Sequence, residues 1–143
     1  MESTPDVAIM MIGTNDNQEW WNPEIFERDY LELASRIKNL TSKPDLFIMT
    51  SPPMSPTYGN KTHLSQKLHI VNELIPSLVQ KVANQLNVDS AHTIDLFNIM
   101  GGQNQRNEEL FCDGLHMNLA GNTYAASQIF LKLRDAGHIE LTK

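Results

Sequence analysis

The sequence has one cysteine, a deficit of basic residues and no long apolar run. Cys112 has no second cysteine to pair with, so an internal disulfide is excluded. The 11 lysines and arginines stand against 17 acids, and the resulting net charge of -6 argues against binding to nucleic-acid backbones. No apolar run approaches the about 18 residues that a membrane span needs. We therefore expect neither a nucleic-acid partner nor a membrane span.

The first residues also lack the basic and apolar regions of a signal peptide. With no targeting signal visible, we expect a cytoplasmic location by default, and a lone cysteine agrees with a reducing compartment. The 143 residues, of which 41% are hydrophobic, suggest a single domain over residues 1–143. A chain of this size is long enough to bury a real core.

Three short apolar segments alternate with longer helical patterns. The segments cover residues 7–12, 46–49 and, more weakly, 91–97, and the first two are apolar without alternation. Unbroken apolarity is typical of strands that are buried on both faces. We therefore predict an α/β fold, a three-layer α/β/α arrangement around a parallel sheet with right-handed crossovers. In such sheets, ligands bind beyond the carboxyl ends of the strands.

The boundaries of the helices are marked by caps and prolines. Asn22 is predicted to cap a helix that has Pro23 at its first position. Pro76 falls inside the second apolar stripe, at 64–82, and is expected to kink that helix because it has no N–H to donate. The last helix is predicted to begin at Asn118 and to end at Gly137.

The first candidate site follows the first strand, in the sequence Gly13-Thr14-Asn15-Asp16. Gly13 allows a sharp exit from the strand, after which Asn15 presents a neutral amide donor at the functional edge of the sheet. Such a donor suits a developing oxyanion. The same residues also form an everyday turn, so spacing alone leaves both readings open.

The second candidate site precedes the last helix and contains Asp113 and His116. A carboxylate on one imidazole nitrogen fixes the tautomer and leaves the other nitrogen free to act as a base. The alternative is a loop in which Asp113 caps backbone amides and Asn118 starts the helix. Neither reading is excluded by this motif alone.

The two motifs together resemble the SGNH, or GDSL-type, hydrolase family of esterases and acyl- or acetylhydrolases. The resemblance runs from about residue 5 to residue 134. Its first part, at 5–16, looks like the third conserved block of the family, and 113–118 looks like the fifth. Further similar features are Ser51-Pro52-Pro53, the kinked helix at 71–76, and Ile94-Asp95-Leu96-Phe97 ahead of a loop.

The resemblance implies a role for three residues. Asn15 would donate to the oxyanion, His116 would be the general base, and Asp113 would orient His116. The family reaction is serine acylation and hydrolysis of an ester or acetylated small molecule, with no metal and no cofactor.

The block that carries the nucleophile in the family, a Gly-Asp-Ser turn, has no counterpart here, nor has the block with the oxyanion-hole glycine. Ser51, Ser3 and Cys112 are poor replacements, because Ser51 fills a structural position in the family, Ser3 precedes its strand, and Cys112 need not face His116. The resemblance implies a flavodoxin-like sheet of order 2-1-3-4-5, without its first two strands.

Loss of those strands would turn the strand from Val7 to Ile12 into an edge strand. A bare apolar edge invites pairing with another chain, so we expect a protein partner or a second copy to cover it.

Three hypotheses for the function follow. The chain is the acid–base half of an ester hydrolase whose serine comes from elsewhere. Alternatively, it is a catalytically inactive structural or interaction subunit of a larger complex. A weaker third option is a binding module for an acyl group or an acetylated sugar. Trp20 and Trp21 would wall its pocket, although they are equally expected to cover the start of the first helix.

Overall fold

A computed structural model describes residues 4–16, 20–58, 64–103 and 108–140. The elements, in chain order, are β1 (Val7–Met11), α1 (Pro23–Lys38), β2 (Asp45–Met49), α2 (Leu64–His69), a π-helical segment (Ile70–Leu74), α3 (Ile75–Gln85), β3 (Thr93–Ile94), α4 (Leu96–Ile99), a 3₁₀ turn (Glu108–Leu110) and α5 (Leu119–Asp135). None of the helices in the described ranges combines the length and the apolar character of a membrane span.

The three strands form one parallel sheet in the order β1-β2-β3. Val7 is in register with Asp45, and Ile48 is in register with Thr93. The predicted α/β fold with a parallel sheet is therefore confirmed. Consecutive parallel strands require crossovers, and the helical segments between them supply these.

The core is divided between the two faces of the sheet. Met10, Leu46 and Ile48 pack with buried residues of α1 and α3 on one face. Met49 and Ile94 pack with buried residues near α5 on the other. Neighbouring residues of β2 thus enter different clusters, as the two-residue period of a strand requires. This two-sided burial explains why β2 is apolar without alternation.

β1 is buried on one face only, which differs from the prediction of burial on both. Met10 is 6% exposed, whereas Ile9 and Met11 on the opposite face are 39% and 38% exposed. β1 lies at the edge of the described sheet, next to β2 alone, so the expectation of an apolar edge strand is confirmed. The prediction that β1 is buried on both faces is wrong because the apolar cluster on the α5 side of the sheet contains residues of β2 and β3 but none of β1.

The predicted helix starts are found at the expected residues. The Asn22 side chain accepts from the backbone N–H groups of Glu24 and Ile25, each at 2.9 Å, with Pro23 at the first helical position. Asn118 accepts from the N–H of Gly121 at 3.0 Å and starts α5. These caps satisfy donors that the first helical turn leaves free.

Pro76 lies close to an interruption of the second helical stripe, and Asp95 ends the third strand. The stripe at 64–82 is interrupted by the π-helical segment directly ahead of Pro76, where the N–H of Ile75 donates to Ile70 O. The third strand is shorter than predicted and keeps only Thr93–Ile94, because the Asp95 side chain accepts from the N–H of Asn98 and starts α4. The predicted end of the last helix is confirmed, with Gly137 at φ 85° just beyond Ala136.

Candidate functional site

A tight turn ahead of α5 brings Asp113 and His116 together. His116 Nδ1 lies 2.7 Å from Asp113 Oδ2, while Asp113 Oδ1 accepts from the N–H groups of Leu115 at 3.0 Å and His116 at 2.9 Å. The hydrogen bond from the His116 ring, helped by those two backbone donors, lowers the pKa of Asp113 to about 2. The carboxylate is therefore ionised at neutral pH, so Nδ1 carries the proton and donates it.

This arrangement leaves Nε2 of His116 as the nitrogen with a lone pair. His116 is exposed, and no residue in the described part of the chain bonds to its Nε2. A neutral imidazole held in this tautomer is able to take a proton from a group that approaches from solvent. The pair therefore has a geometry that suits an oriented base, and Asp113 also accepts from backbone amides. The turn is compatible with both interpretations of this motif, and the catalytic one stays a prediction.

The turn is held in place by Gly114. This residue has φ 93°, and its carbonyl accepts from the N–H of Ser55 at 2.8 Å. An added Cβ would lie 3.1 Å from Ser55 Cβ and 3.2 Å from the Tyr58 nitrogen, so the space and the backbone both favour glycine. The Tyr58 ring meets the His116 ring edge to face, with centroids 6.1 Å apart. The segment after β2 thus forms one wall of the candidate site.

That segment is anchored by a buried amide that sequence analysis did not single out. Asn72 is 6% exposed, and its side chain donates to Met54 O and accepts from Met54 N–H, each at 2.8 Å. Met54 itself precedes Ser55, which holds Gly114. Asn72 lies in the π-helical segment, and such segments are frequent at functional sites. A polar residue in an apolar stripe, close to a proline, was the signal available in the sequence.

Asn15 lies in the separate loop that leaves β1. Gly13 is buried with φ 120°, and an added Cβ would lie 2.6 Å from Ile75 Cγ2, which explains the glycine there. The N–H of Asp16 closes the turn onto Gly13 O at 2.9 Å. Asn15 is exposed, and its side chain makes no hydrogen bond within the described residues.

The two motifs lie at the same edge of the sheet. Ser51 Oγ donates to Ile12 O at 3.2 Å, and the segment that begins at Ser51 continues to the Ser55 contact with Gly114. This short path joins the β1 loop to the turn before α5, although no hydrogen bond links Asn15 itself to the Asp113–His116 pair. The structure therefore brings two of the three predicted residues into contact and places Asn15 in the loop beyond β1.

The weaker candidates have other surroundings. Ser51 is 1% exposed and its hydroxyl is used in the bond to Ile12, as expected for a structural serine. Cys112 is exposed, and its backbone N–H donates to His116 O at 2.8 Å. Ser3 lies outside the described residues. Within the described ranges, no group of three or more His, Cys, Asp or Glu side chains is placed to hold a metal ion.

A comparison with family models supplies the context for this geometry. The model of the GDSL-like lipase/acylhydrolase family matches residues 2–124, which is most of the chain. The chain belongs to this family. A comparison with curated proteins found no match.

Among solved structures, the chain is similar to a catalytic mutant of Axe2, an acetylxylan esterase from Geobacillus stearothermophilus. The match has a TM-score of 0.54 at 19% identity and covers 98% of this chain and 63% of that chain. The chain thus spans less than two thirds of that esterase. At this identity the likeness shows a shared fold, which agrees with the parallel sheet described above.

Proposed function

We propose that the chain carries the oxyanion donor and the acid–base pair of a serine-type carboxylic ester hydrolase. The nucleophilic serine would come from a segment or a chain beyond this sequence. The observation that carries the proposal is the 2.7 Å contact between Asp113 Oδ2 and His116 Nδ1, which leaves Nε2 free at the carboxyl edge of a family-typical sheet. Family membership supports the reaction class.

In the proposed reaction, His116 Nε2 takes the proton of the serine hydroxyl as the serine oxygen attacks the ester carbonyl. The Asn15 amide donates to the oxyanion that forms, and Asp113 stabilises the imidazolium. Collapse breaks the bond to the alcohol, which leaves with the proton from His116. Water then gives a proton to His116 as its oxygen attacks the acyl carbon. The bond between that carbon and the serine oxygen breaks, and His116 returns the proton to the serine oxygen, so that the carboxylic acid leaves and the serine hydroxyl is restored.

The proposal is tested on the protein as isolated natively, with whatever it binds. A fluorophosphonate probe labels an activated serine, and mass spectrometry then maps the label to this chain or to a partner. Label on a serine would support the proposal and identify which chain provides the nucleophile. A folded complex that stays unlabelled beside a labelled control hydrolase would contradict it.

Two variants test the roles of the pair in hydrolysis of p-nitrophenyl acetate. His116→Ala removes the base, and Asp113→Asn removes the charge that fixes the tautomer of the His116 imidazole. Each variant is expected to lower kcat by about two to four orders of magnitude. His69→Ala is a matched control, because His69 Nδ1 also contacts a carboxylate oxygen, of Glu73, at 2.8 Å, but on α2. Equal rates in His116→Ala and His69→Ala would reject the assignment.

The exposed β1 edge favours a second candidate function, that of a non-catalytic subunit. Ile9 and Met11 present apolar side chains beside an edge strand, and a partner strand or a second copy would bury them. Sedimentation velocity measures whether the protein associates with a second copy or a partner. Met11→Lys is expected to weaken that association. A monomer at all concentrations, alone and in the native extract, would contradict a covering partner. Association without any serine labelling would favour the non-catalytic function.

A further inference from the structure

The candidate base lies on a short hairpin over residues 108–118, which we call the 108–118 hairpin. Phe111 and Met117 form an antiparallel bridge across it, and Asp113 and His116 lie at its tip. The His116 side chain is 68% exposed. The position of its ring therefore depends mainly on how the hairpin is held against the rest of the fold.

Ser55 contacts the 108–118 hairpin both at its tip and at its base. Its N–H donates to Gly114 O at 2.8 Å, and its hydroxyl donates to Glu108 Oε1 at 3.0 Å. Ser55 is 0% exposed and lies in the segment after β2, so it ties the hairpin to the carboxyl edge of the sheet. Contacts at both ends fix the tilt of the hairpin, which a single contact would leave free to change.

The hydroxyl of Ser55 uses its full capacity for hydrogen bonds. A serine hydroxyl has one proton to donate and two lone pairs that accept. Its proton goes to Glu108, so the Thr57 hydroxyl, 2.7 Å away, must donate to Ser55 Oγ, and the Thr57 N–H donates to the same oxygen at 3.2 Å. A buried hydroxyl that is bonded in this way argues against Ser55 as the missing nucleophile and points to a role in orientation.

The carbonyl of Ser55 also connects to the candidate base. It accepts from the N–H of Tyr58 at 3.1 Å, and the Tyr58 ring meets the His116 ring edge to face. An added Cβ on Gly114 would lie 3.1 Å from Ser55 Cβ, so the two segments pack tightly. The N–H, the hydroxyl and the carbonyl of Ser55 thus all bond either to the 108–118 hairpin or to the residue whose ring contacts His116.

We infer that Ser55 is a positioning residue for the general base, and that its bond to Glu108 keeps the Asp113–His116 pair in the tautomer and orientation that proton transfer at Nε2 requires. This inference rests on the proposed function and adds to it the two residues that hold the base in place. A misplacement of about 1 Å can cost about a hundredfold in rate, so a residue that does not touch the substrate can still affect the reaction.

Nitrogen NMR of the full chain labelled with ¹⁵N-histidine reports the tautomer of His116 at about pH 9, where imidazoles are ordinarily neutral. The Nδ1–H form is expected in the unmodified protein, because Asp113 Oδ2 lies 2.7 Å from Nδ1. Ser55→Ala and Glu108→Ala are each expected to give a mixture with the Nε2–H form, since a looser hairpin lets water compete for Asp113. The amide of Leu115, which also donates to Asp113, should exchange about two- to tenfold faster, the value of one hydrogen bond.

Two control variants separate positioning from a general loss of stability. Ser77→Ala removes an exposed hydroxyl on α3, which donates to Glu73 O at 3.0 Å. Val79→Ala weakens the core, because Val79 is 0% exposed. Both variants should keep the Nδ1–H form of His116. A tautomer mixture in Val79→Ala as large as that in Ser55→Ala would make the role of Ser55 merely structural and overturn the proposal.

The double variant tests whether Ser55 and Glu108 act as one unit. If their bond positions the pair, the two effects are not additive, and the double variant behaves like Ser55→Ala. Glu108→Gln keeps an acceptor oxygen and should retain more of the Nδ1–H form than Glu108→Ala does. Glu108 is exposed, so its variants are expected to fold even if Ser55→Ala does not. Additive effects, or an unchanged ring in Glu108→Ala, would overturn the proposal.

The outcome is separable from that of the proposed function. The tautomer is measured without catalysis, whether or not any serine reacts with the fluorophosphonate. In the natively isolated protein, Ser55→Ala is expected to lower kcat for p-nitrophenyl acetate about tenfold with KM unchanged, because only the base is displaced. A tautomer that depends on Ser55 in a protein without any hydrolysis would refute the proposed function alone. Hydrolysis with an unchanged kcat in Ser55→Ala would refute the positioning role alone.

Discussion

Replacement of Asn72 by leucine tests whether this residue holds the segment after β2 that forms one wall of the candidate site. The two side chains have the same branching and the same number of heavy atoms, so the substitution removes the hydrogen bonds without leaving a cavity. Asn72 donates to Met54 O and accepts from Met54 N–H, each at 2.8 Å, and both residues are buried. The substitution therefore leaves a backbone donor and a backbone acceptor without their partner.

The expected loss of stability follows from the N–H and the carbonyl of Met54, which lose their partner. An unsatisfied buried polar group costs about 1–3 kcal/mol, so the two groups together lower the free energy of unfolding by about 2–6 kcal/mol. Part of this loss of stability is offset, because burying the apolar side chain of leucine in place of an amide is favourable. A net loss of about 2–4 kcal/mol is a large fraction of the stability of a domain of this size.

The assay is urea unfolding followed by circular dichroism. Asn84→Leu is the matched control, since Asn84 is exposed on α3 and its side chain accepts from Gln80 at 3.2 Å, an exposed contact. A change within about 0.5 kcal/mol is expected there. The loss at Asn72 should also loosen the Ser55 contact with Gly114 and speed amide exchange at Ser55. A change below about 0.5 kcal/mol in Asn72→Leu would refute the anchoring role.

Two further predictions concern the rest of the fold. Gly121→Ala should destabilise the protein in the same assay although alanine favours helices by about 1 kcal/mol, because the new Cβ would lie 2.1 Å from Leu110 O; a gain in stability would contradict this. Hydrogen bonding to Asp89, followed by attraction to Asp45, raises the pKa of His92. A raised histidine pKa gives stability that is complete below about pH 6.5 and is lost as the pH rises through the folded pKa. Urea unfolding at several pH values should thus show that His92→Gln lowers the free energy of unfolding less as the pH increases. A loss of stability that does not vary with pH would contradict the interaction of His92 with Asp89 and Asp45.

Much of the fold was predictable because local rules agree with the tertiary arrangement. Asn22 and Asn118 start helices as caps, and Pro76 disturbs its helix because it lacks an N–H. Apolar runs without alternation indicated parallel strands, and for β2 that pattern reflects real burial on both faces. The third strand was predicted too long, because the capping side chain of Asp95 ended it after Ile94.

The acid–base pair was also predictable, since Asp113 and His116 are three residues apart and a turn suffices to join them. The anchors of that turn were not, because Ser55 and Asn72 lie far from it in the chain. Their contacts depend on how the segment after β2 passes over the turn before α5. No periodicity or capping rule carries that information.

The amino-acid sequence was enough to predict the family, the order of strands and helices, and the contact between Asp113 and His116. These depend on short-range sterics, caps and hydrophobic periodicity, which act between neighbours in the chain. Tertiary packing is what leaves Ile9 exposed, lets Asn72 hold Met54, and places the rings of Trp21 and Tyr30 against that of Phe26. Burial and hydrogen-bond satisfaction depend on what packs against each group, and that is fixed only when distant segments meet.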